Sequence, residues 1–129
     1  MAKQETLFDR IGGQTAVFTL AHKFYDVMQR DEFAHDVLNM HPDDLTRSRM
    51  RLAHYLCEWF GGPKLFGEPY VNPTWIKQRH MHLNVDIDAR DQWMHCMTTA
   101  MTELNYDEQL QQELTKKFFE LAGYIRTQV

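Results

Sequence analysis

Asp88-Ala89-Arg90-Asp91-Gln92-Trp93-Met94-His95-Cys96-Met97-Thr98-Thr99-Ala100-Met101-Thr102-Glu103-Leu104 is the stretch that decides the fold. Trp93, Met97, Ala100, Met101 and Leu104 recur three and four residues apart, the spacing of one helical face. Asp88 is its expected N-cap. The same period continues beyond it. Residues 107–127 predict a final helix that buries Leu110, Leu114, Phe118, Leu121, Ala122 and Ile125. Upstream, residues 14–29 place Val17, Leu20, Ala21, Phe24 and Met28 on one face, with Phe18 and Tyr25 beside it. A short helical turn is expected over residues 31–38. The next helix starts after Pro42, with Asp43 or Asp44 as its cap. It turns Leu45, Leu52, Leu56 and Trp59 or Phe60 inward and stops at Gly61-Gly62. The glycines and prolines of residues 61–73 predict irregular chain, and residues 74–83 a short helix. No segment alternates like a strand. The fold class is all-α, two C-terminal helices packed on two N-terminal ones.

The bulk numbers narrow the function. At 129 residues the chain suits one domain, 1–129. Its 43% hydrophobic and 25% charged composition is that of an ordinary globular protein. With 14 basic and 18 acidic side chains the net charge is −4, which argues against nucleic acid or an anionic membrane as partner. No apolar run reaches the roughly 18 residues that a membrane span needs. The first residues lack the apolar stretch of a signal peptide. Cys57 and Cys96 stand apart, neither a disulfide framework nor a CxxC site. A reducing cytoplasm is the expected location. There is no Cys-x-x-Cys-His, so any haem would be held without that covalent anchor.

Five side chains could carry chemistry. His80 offers a neutral imidazole after the irregular segment, the group that a haem iron takes as axial ligand. It reads equally as a surface histidine, and His82 competes with it, since residues two apart on a helix do not share a face. Arg79 beside it suits a carboxylate. Trp93 on the inward stripe is either core filler or a buried indole N–H in search of an acceptor. Tyr25 offers a hydroxyl, or merely an amphipathic boundary. His41 before Pro42 offers an imidazole, or merely a loop residue. Other sites read poorly. Glu32-Phe33-Ala34-His35 is a single Glu-x-x-His where a di-iron bundle needs two. His54 and Glu58 look like an exposed pair, and His95 and Cys96 diverge. There is no G-x-S-x-G elbow, and Gly12-Gly13 lacks the rest of a phosphate loop.

The ordered set of fragments is more telling than any one of them. Leu7-Phe8-Asp9-Arg10-Ile11-Gly12-Gly13, Phe24-Tyr25, Met40-His41-Pro42-Asp43-Asp44-Leu45, Gly61-Gly62-Pro63, Arg79-His80 and Arg90 to Met97 follow one another at set separations. In these the chain resembles a group II truncated haemoglobin over almost its whole length. The resemblance implies a shortened globin, four main helices in two antiparallel pairs sandwiching non-covalent haem b. It implies His80 as proximal iron ligand and Tyr25, His41 and Trp93 as distal residues that hydrogen-bond the ligand. Leu52 and Tyr55 match apolar and aromatic distal-helix positions. Ser48 stands where larger globins keep a distal histidine. Arg51 and Arg79 match positions that meet the haem propionates. The chain departs from the family at Val71-Asn72-Pro73, where Gly-His-Pro is frequent, and at His41, where many relatives have tyrosine or phenylalanine.

Those expectations define a haem protein for oxygen, carbon monoxide, nitric oxide or peroxide. Two or three donors around the ligand suit scavenging, sensing or redox chemistry better than bulk transport. The alternatives are a peroxidase-like or nitric oxide-detoxifying enzyme fed by an unidentified reductase, and a haem-free helical interaction module. Monomer and homodimer both stay open, as does whether Tyr25 or His41 takes the sixth position on the iron.

Overall fold

The computed structural model describes residues 5–63 and 86–125. Six α-helices and one 3₁₀ turn make up these residues: α1 (Leu7–Ile11), α2 (Gly13–Arg30), the 3₁₀ turn (Glu32–Ala34), α3 (His35–Asn39), α4 (Thr46–Trp59), α5 (Ile87–Glu103) and α6 (Glu108–Ile125). No strand occurs among the described residues, as the helical period requires. No helix among them is long and apolar enough to cross a membrane. The short helix expected over residues 74–83 lies outside the described residues, and so do His80, Arg79 and His82.

The core is built on α2. Val17, Leu20, Ala21, Phe24, Val27 and Met28 are fully buried along its inner face. That face packs against α4 and also against α5, and α5 in turn packs against α6. Leu56, Cys57 and Phe60 come in from α4 and its end, Cys96, Met97, Ala100 and Met101 from α5, and Leu114 and Phe118 from α6. Burying side chains of this size contributes roughly 1.5–3 kcal/mol each before entropy is counted. The inward stripe expected for α5 is present, although Trp93 and Leu104 are only half-buried.

The helix starts differ from the expected ones. α5 begins at Ile87 and is capped by Asp86, whose carboxylate accepts from the Ala89 N–H at 2.8 Å. Asp88 falls in the first turn instead, where a negative charge suits the helix dipole. α4 begins at Thr46, later than expected. Asp44 sits before it and accepts from the Thr46 N–H and hydroxyl at 3.0 and 2.7 Å, so it braces the start without being the cap. His54 corrects a second expectation. It is buried, with its ring edge-on to Phe18 at 5.5 Å, and burial lowers its pKa. The reading of His54 and Glu58 as an exposed pair therefore fails: this face of α4 lies against α2.

α1 was not expected as a helix, being one turn long. A capping box holds it, in which Thr6 and Asp9 exchange side-chain-to-backbone hydrogen bonds. The turn docks on the end of α4, where the Phe8 N–H donates to the Phe60 carbonyl at 2.9 Å. Here the Gly61-Gly62 stop is what the sequence suggests. Gly61 has φ 95°, and the N–H groups of Gly61 and Gly62 donate back to the carbonyls of Glu58 and Cys57 at 3.0 and 2.7 Å, a Schellman closure. Gly62 also faces the Phe8 ring. A Cβ there would meet Phe8 Cε2 at 2.6 Å and the Cys57 oxygen at 2.8 Å. Gly62→Ala is expected to destabilise the fold by about 1–3 kcal/mol, read as a lower urea midpoint. An unchanged midpoint would show that α1 is not held against this glycine.

Candidate functional site

Tyr25 follows Phe24 on α2, at the edge of the buried stripe, and is 6% exposed. The Phe24 ring is a wedge between two candidate residues. It meets Tyr25 edge-on at 4.9 Å and the Trp93 indole of α5 at 5.2 Å. The contact of α2 with α5 thus sets the positions of Tyr25 and Trp93 relative to one side chain. Trp93 is half-buried, and its indole N–H has no hydrogen-bond partner among the described residues.

His41 arrives from the segment after α3. Its ring stands edge-on to Tyr25 at 5.4 Å, and its Nε2 is 3.5 Å from the Tyr25 hydroxyl oxygen. Its Nδ1 is 2.7 Å from the Val37 carbonyl oxygen. A carbonyl only accepts, so Nδ1 carries the proton of that bond. In the neutral ring Nε2 then accepts from the Tyr25 hydroxyl. At 3.5 Å that bond is long, and a buried hydroxyl so loosely held gains from a closer acceptor.

Electrostatics keep the hydroxyl a donor. Burial pushes the Tyr25 phenol well above its ordinary range, and the opposing charge of Arg49 does not reverse this. Arg49 was missed by sequence reasoning. Its guanidinium lies 5.9 Å from the Tyr25 ring centre and donates to the His22 carbonyl at 2.8 Å and to Gln29 Oε1 at 3.0 Å. It also pairs with Asp26 at 2.9 Å. These contacts fasten α4 to α2 behind the tyrosine. The only signal available was an arginine on a face otherwise expected to pack.

Gln92 was missed too. It is buried, one residue before Trp93, and bridges α5 to α3. Its Oε1 accepts from the Val37 N–H at 3.1 Å, and its Nε2 donates to Asp36 Oδ2 at 2.9 Å. Val37 is the residue whose carbonyl holds His41, so a polar chain runs from α5 through α3 to the His41 ring. A glutamine in an inward register was the available clue.

The other candidates lie on α4. Ser48, Leu52 and Tyr55 are half-buried, and Arg51 is exposed. Leu52 and Tyr55 pack at the margin of the core. Burial raises the Tyr55 phenol, with the Glu58 charge adding to the effect. The structure therefore brings Tyr25 and His41 into contact and joins Trp93 to Tyr25 through Phe24. His80 and Arg79 lie outside the described residues. Among the described residues no group of three or more His, Cys, Asp or Glu side chains is placed to hold a metal ion. Cys57 and Cys96 are buried free thiols, and burial pushes Cys96 up to about 12.

A pair of helices packed on a second pair, with aromatic and hydroxyl groups gathered between them, is the architecture of the globin class. A family model described as bacterial-like globin matches residues 6–127, and the chain belongs to that family. It is similar to the cold-adapted truncated haemoglobin of the Antarctic marine bacterium Pseudoalteromonas haloplanktis TAC125, with 34% identity, 97% of this chain and 100% of that one covered, and a TM-score of 0.86. The group II 2-on-2 haemoglobin of Agrobacterium tumefaciens superposes with a TM-score of 0.89 at 28% identity, covering 99% and 98%. The group 2 truncated haemoglobin YjbI of Bacillus subtilis (strain 168) is 25% identical over 103 residues, 79% of this chain and 74% of that protein. The group II resemblance and the two-over-two all-α fold are thereby borne out. Family membership makes non-covalent haem the cofactor and small diatomic molecules such as oxygen the ligands. The described residues fit that group: a buried hydroxyl with one long hydrogen bond, and an indole N–H with no partner among these residues, flank the fully buried Phe24 ring.

Replacing Gln92 by leucine leaves the buried Val37 N–H without its acceptor. Stability should fall by about 1–3 kcal/mol in urea unfolding. A variant as stable as the wild type would remove Gln92 from the support of His41.

Proposed function

We propose that this chain binds haem b through His80 and meets the ligand with donors from Tyr25, His41 and Trp93, for scavenging, sensing or redox chemistry. The observation that carries the reading is the Tyr25 hydroxyl, buried, protonated and held only by a 3.5 Å contact to His41. When bound, ferrous haem supplies the metal that takes a diatomic molecule and shifts negative charge onto it. The Tyr25 hydroxyl would donate a hydrogen bond to that charge in exchange for its long contact with His41. His41, fixed through Nδ1, holds the hydroxyl ready. The Trp93 N–H adds a second donor from α5. Leu52 and Tyr55 exclude water, which strengthens both bonds, and Ser48 offers only a short hydroxyl. Arg51 and Arg79 pair with the propionates. The chain works as one domain in the cytoplasm, as monomer or homodimer, with a reductase as electron source.

The magnitudes favour retention of ligand over delivery. A hydrogen bond to a charged group contributes roughly 1.5–3 kcal/mol, and each 1.4 kcal/mol is about tenfold in an equilibrium. Trp93→Phe should therefore speed oxygen release about tenfold or more in stopped-flow measurements, while His80→Ala should lose the Soret band of the haem-loaded wild type. An unchanged release rate would exclude Trp93 as donor. An intact band in the alanine variant would exclude His80 as ligand. A second reading, peroxidase-like turnover, is favoured by one observation: aromatic rings continue from Trp93 toward the surface.

A further inference from the structure

Trp59 is at the last turn of α4, and ligand binding has no use for it. Its indole is half-buried and stacks on Tyr55 with ring centres 5.7 Å apart and planes at 26°. Inward it meets Phe118 of α6 at 5.4 Å. Phe118 is fully buried and meets Trp93 at 5.6 Å. Rings therefore run in contact from the ligand side of the protein to a half-exposed indole. Phe60 flanks the row, meeting both Trp59 at 5.5 Å and Phe118 at 5.8 Å. Indole is among the side chains that part most readily with one electron, and the buried benzyl ring between the two tryptophans narrows the gap that an electron must cross. The Lys117 ammonium sits 4.3 Å from the Trp59 ring centre. Attracted to the neutral ring, it opposes positive charge there. An oxidised Trp59 beside it is a stronger oxidant and is quickly refilled.

We propose that Trp59 is the outer station of an electron path through Phe118 to Trp93, by which a phenol at the protein surface reduces a hydroperoxide held on the Trp93 side. The inference rests on the haem reading given above. In the balanced reaction the O–O bond of hydrogen peroxide breaks, and its two oxygens take up two electrons and two protons to give two waters. Two phenol molecules each lose one electron and their hydroxyl proton, giving two phenoxyl radicals. Electrons travel singly through Trp59 and Trp93. The protons leave through solvent and are matched by those taken up in forming water, so no side chain ends in a changed protonation state.

The test uses the full haem-loaded chain, hydrogen peroxide and a nitroso spin trap, with peptide mass mapping of the adduct. The wild type should carry the adduct on Trp59, and Lys117→Met should raise its yield. Trp59→Phe should lose that adduct and slow oxidation of a bulky phenol, with its carbon monoxide absorption spectrum unchanged. Trp59→Tyr, which restores an oxidisable ring, should recover part of the phenol rate. A normal wild-type Soret band with no Trp59 adduct overturns the path alone, as does a Trp59→Phe variant that oxidises the phenol at the wild-type rate. A wild type with no Soret band after haem is added overturns the haem reading and the path together.

Discussion

The rest of the structure depends on the double use of one helix face. α2 buries the same stripe against α4 and α5, so the contact that closes the core also locates the side chains proposed to face the ligand. Phe24 shows this most directly. It is fully buried, and its ring touches Tyr25 on one side and Trp93 on the other. Close-packed interiors leave little room for such a ring to shift. The hydroxyl and the indole are therefore placed by packing, and in the proposed function ligand chemistry would inherit its geometry from the core.

Around that wedge the polar groups are arranged to keep one proton available. Burial keeps the Tyr25 phenol protonated, and His41 accepts from it too distantly to compete with a closer acceptor. His41 itself is fixed from behind, through Val37 and Gln92, and Arg49 fastens α4 to α2 beyond the tyrosine ring. Each tether joins two elements, so these polar contacts also hold the helices in register. Among the described residues Gln92 and His54 are the buried polar side chains, and Gln92 bears on this corner.

Most of the fold was legible because the 3.6-residue period of α2, α4, α5 and α6 is a direct imprint of one-sided burial. What escaped were features with no period. α1 is too short to show one; its capping box and the seat of Phe8 beside Gly62 hold it. Asp86 is the cap because its carboxylate reaches the Ala89 N–H, and it escaped reading because Ile87, exposed and apolar, gives no inward signal to mark the start. His54 and Gln92 were invisible as buried groups because a polar letter reads as solvent-facing until its partner is known. The meeting of Tyr25 with His41, sixteen residues apart in sequence, follows from no spacing rule. Only the family resemblance suggested it, through fragments whose order is informative where each alone is not. The proximal side rests on that resemblance as well, since His80 lies outside the described residues.

The central claim is that a neutral Tyr25 hydroxyl donates to the ligand. Its most direct measurement is the infrared C–O stretch of the ferrous carbon monoxide complex, in the wild type and in Tyr25→Phe. A donated hydrogen bond draws electron density onto the ligand and weakens the C–O bond. The wild type should show a dominant low-frequency band that moves to higher frequency in the phenylalanine variant. The same band position in both proteins would contradict the claim.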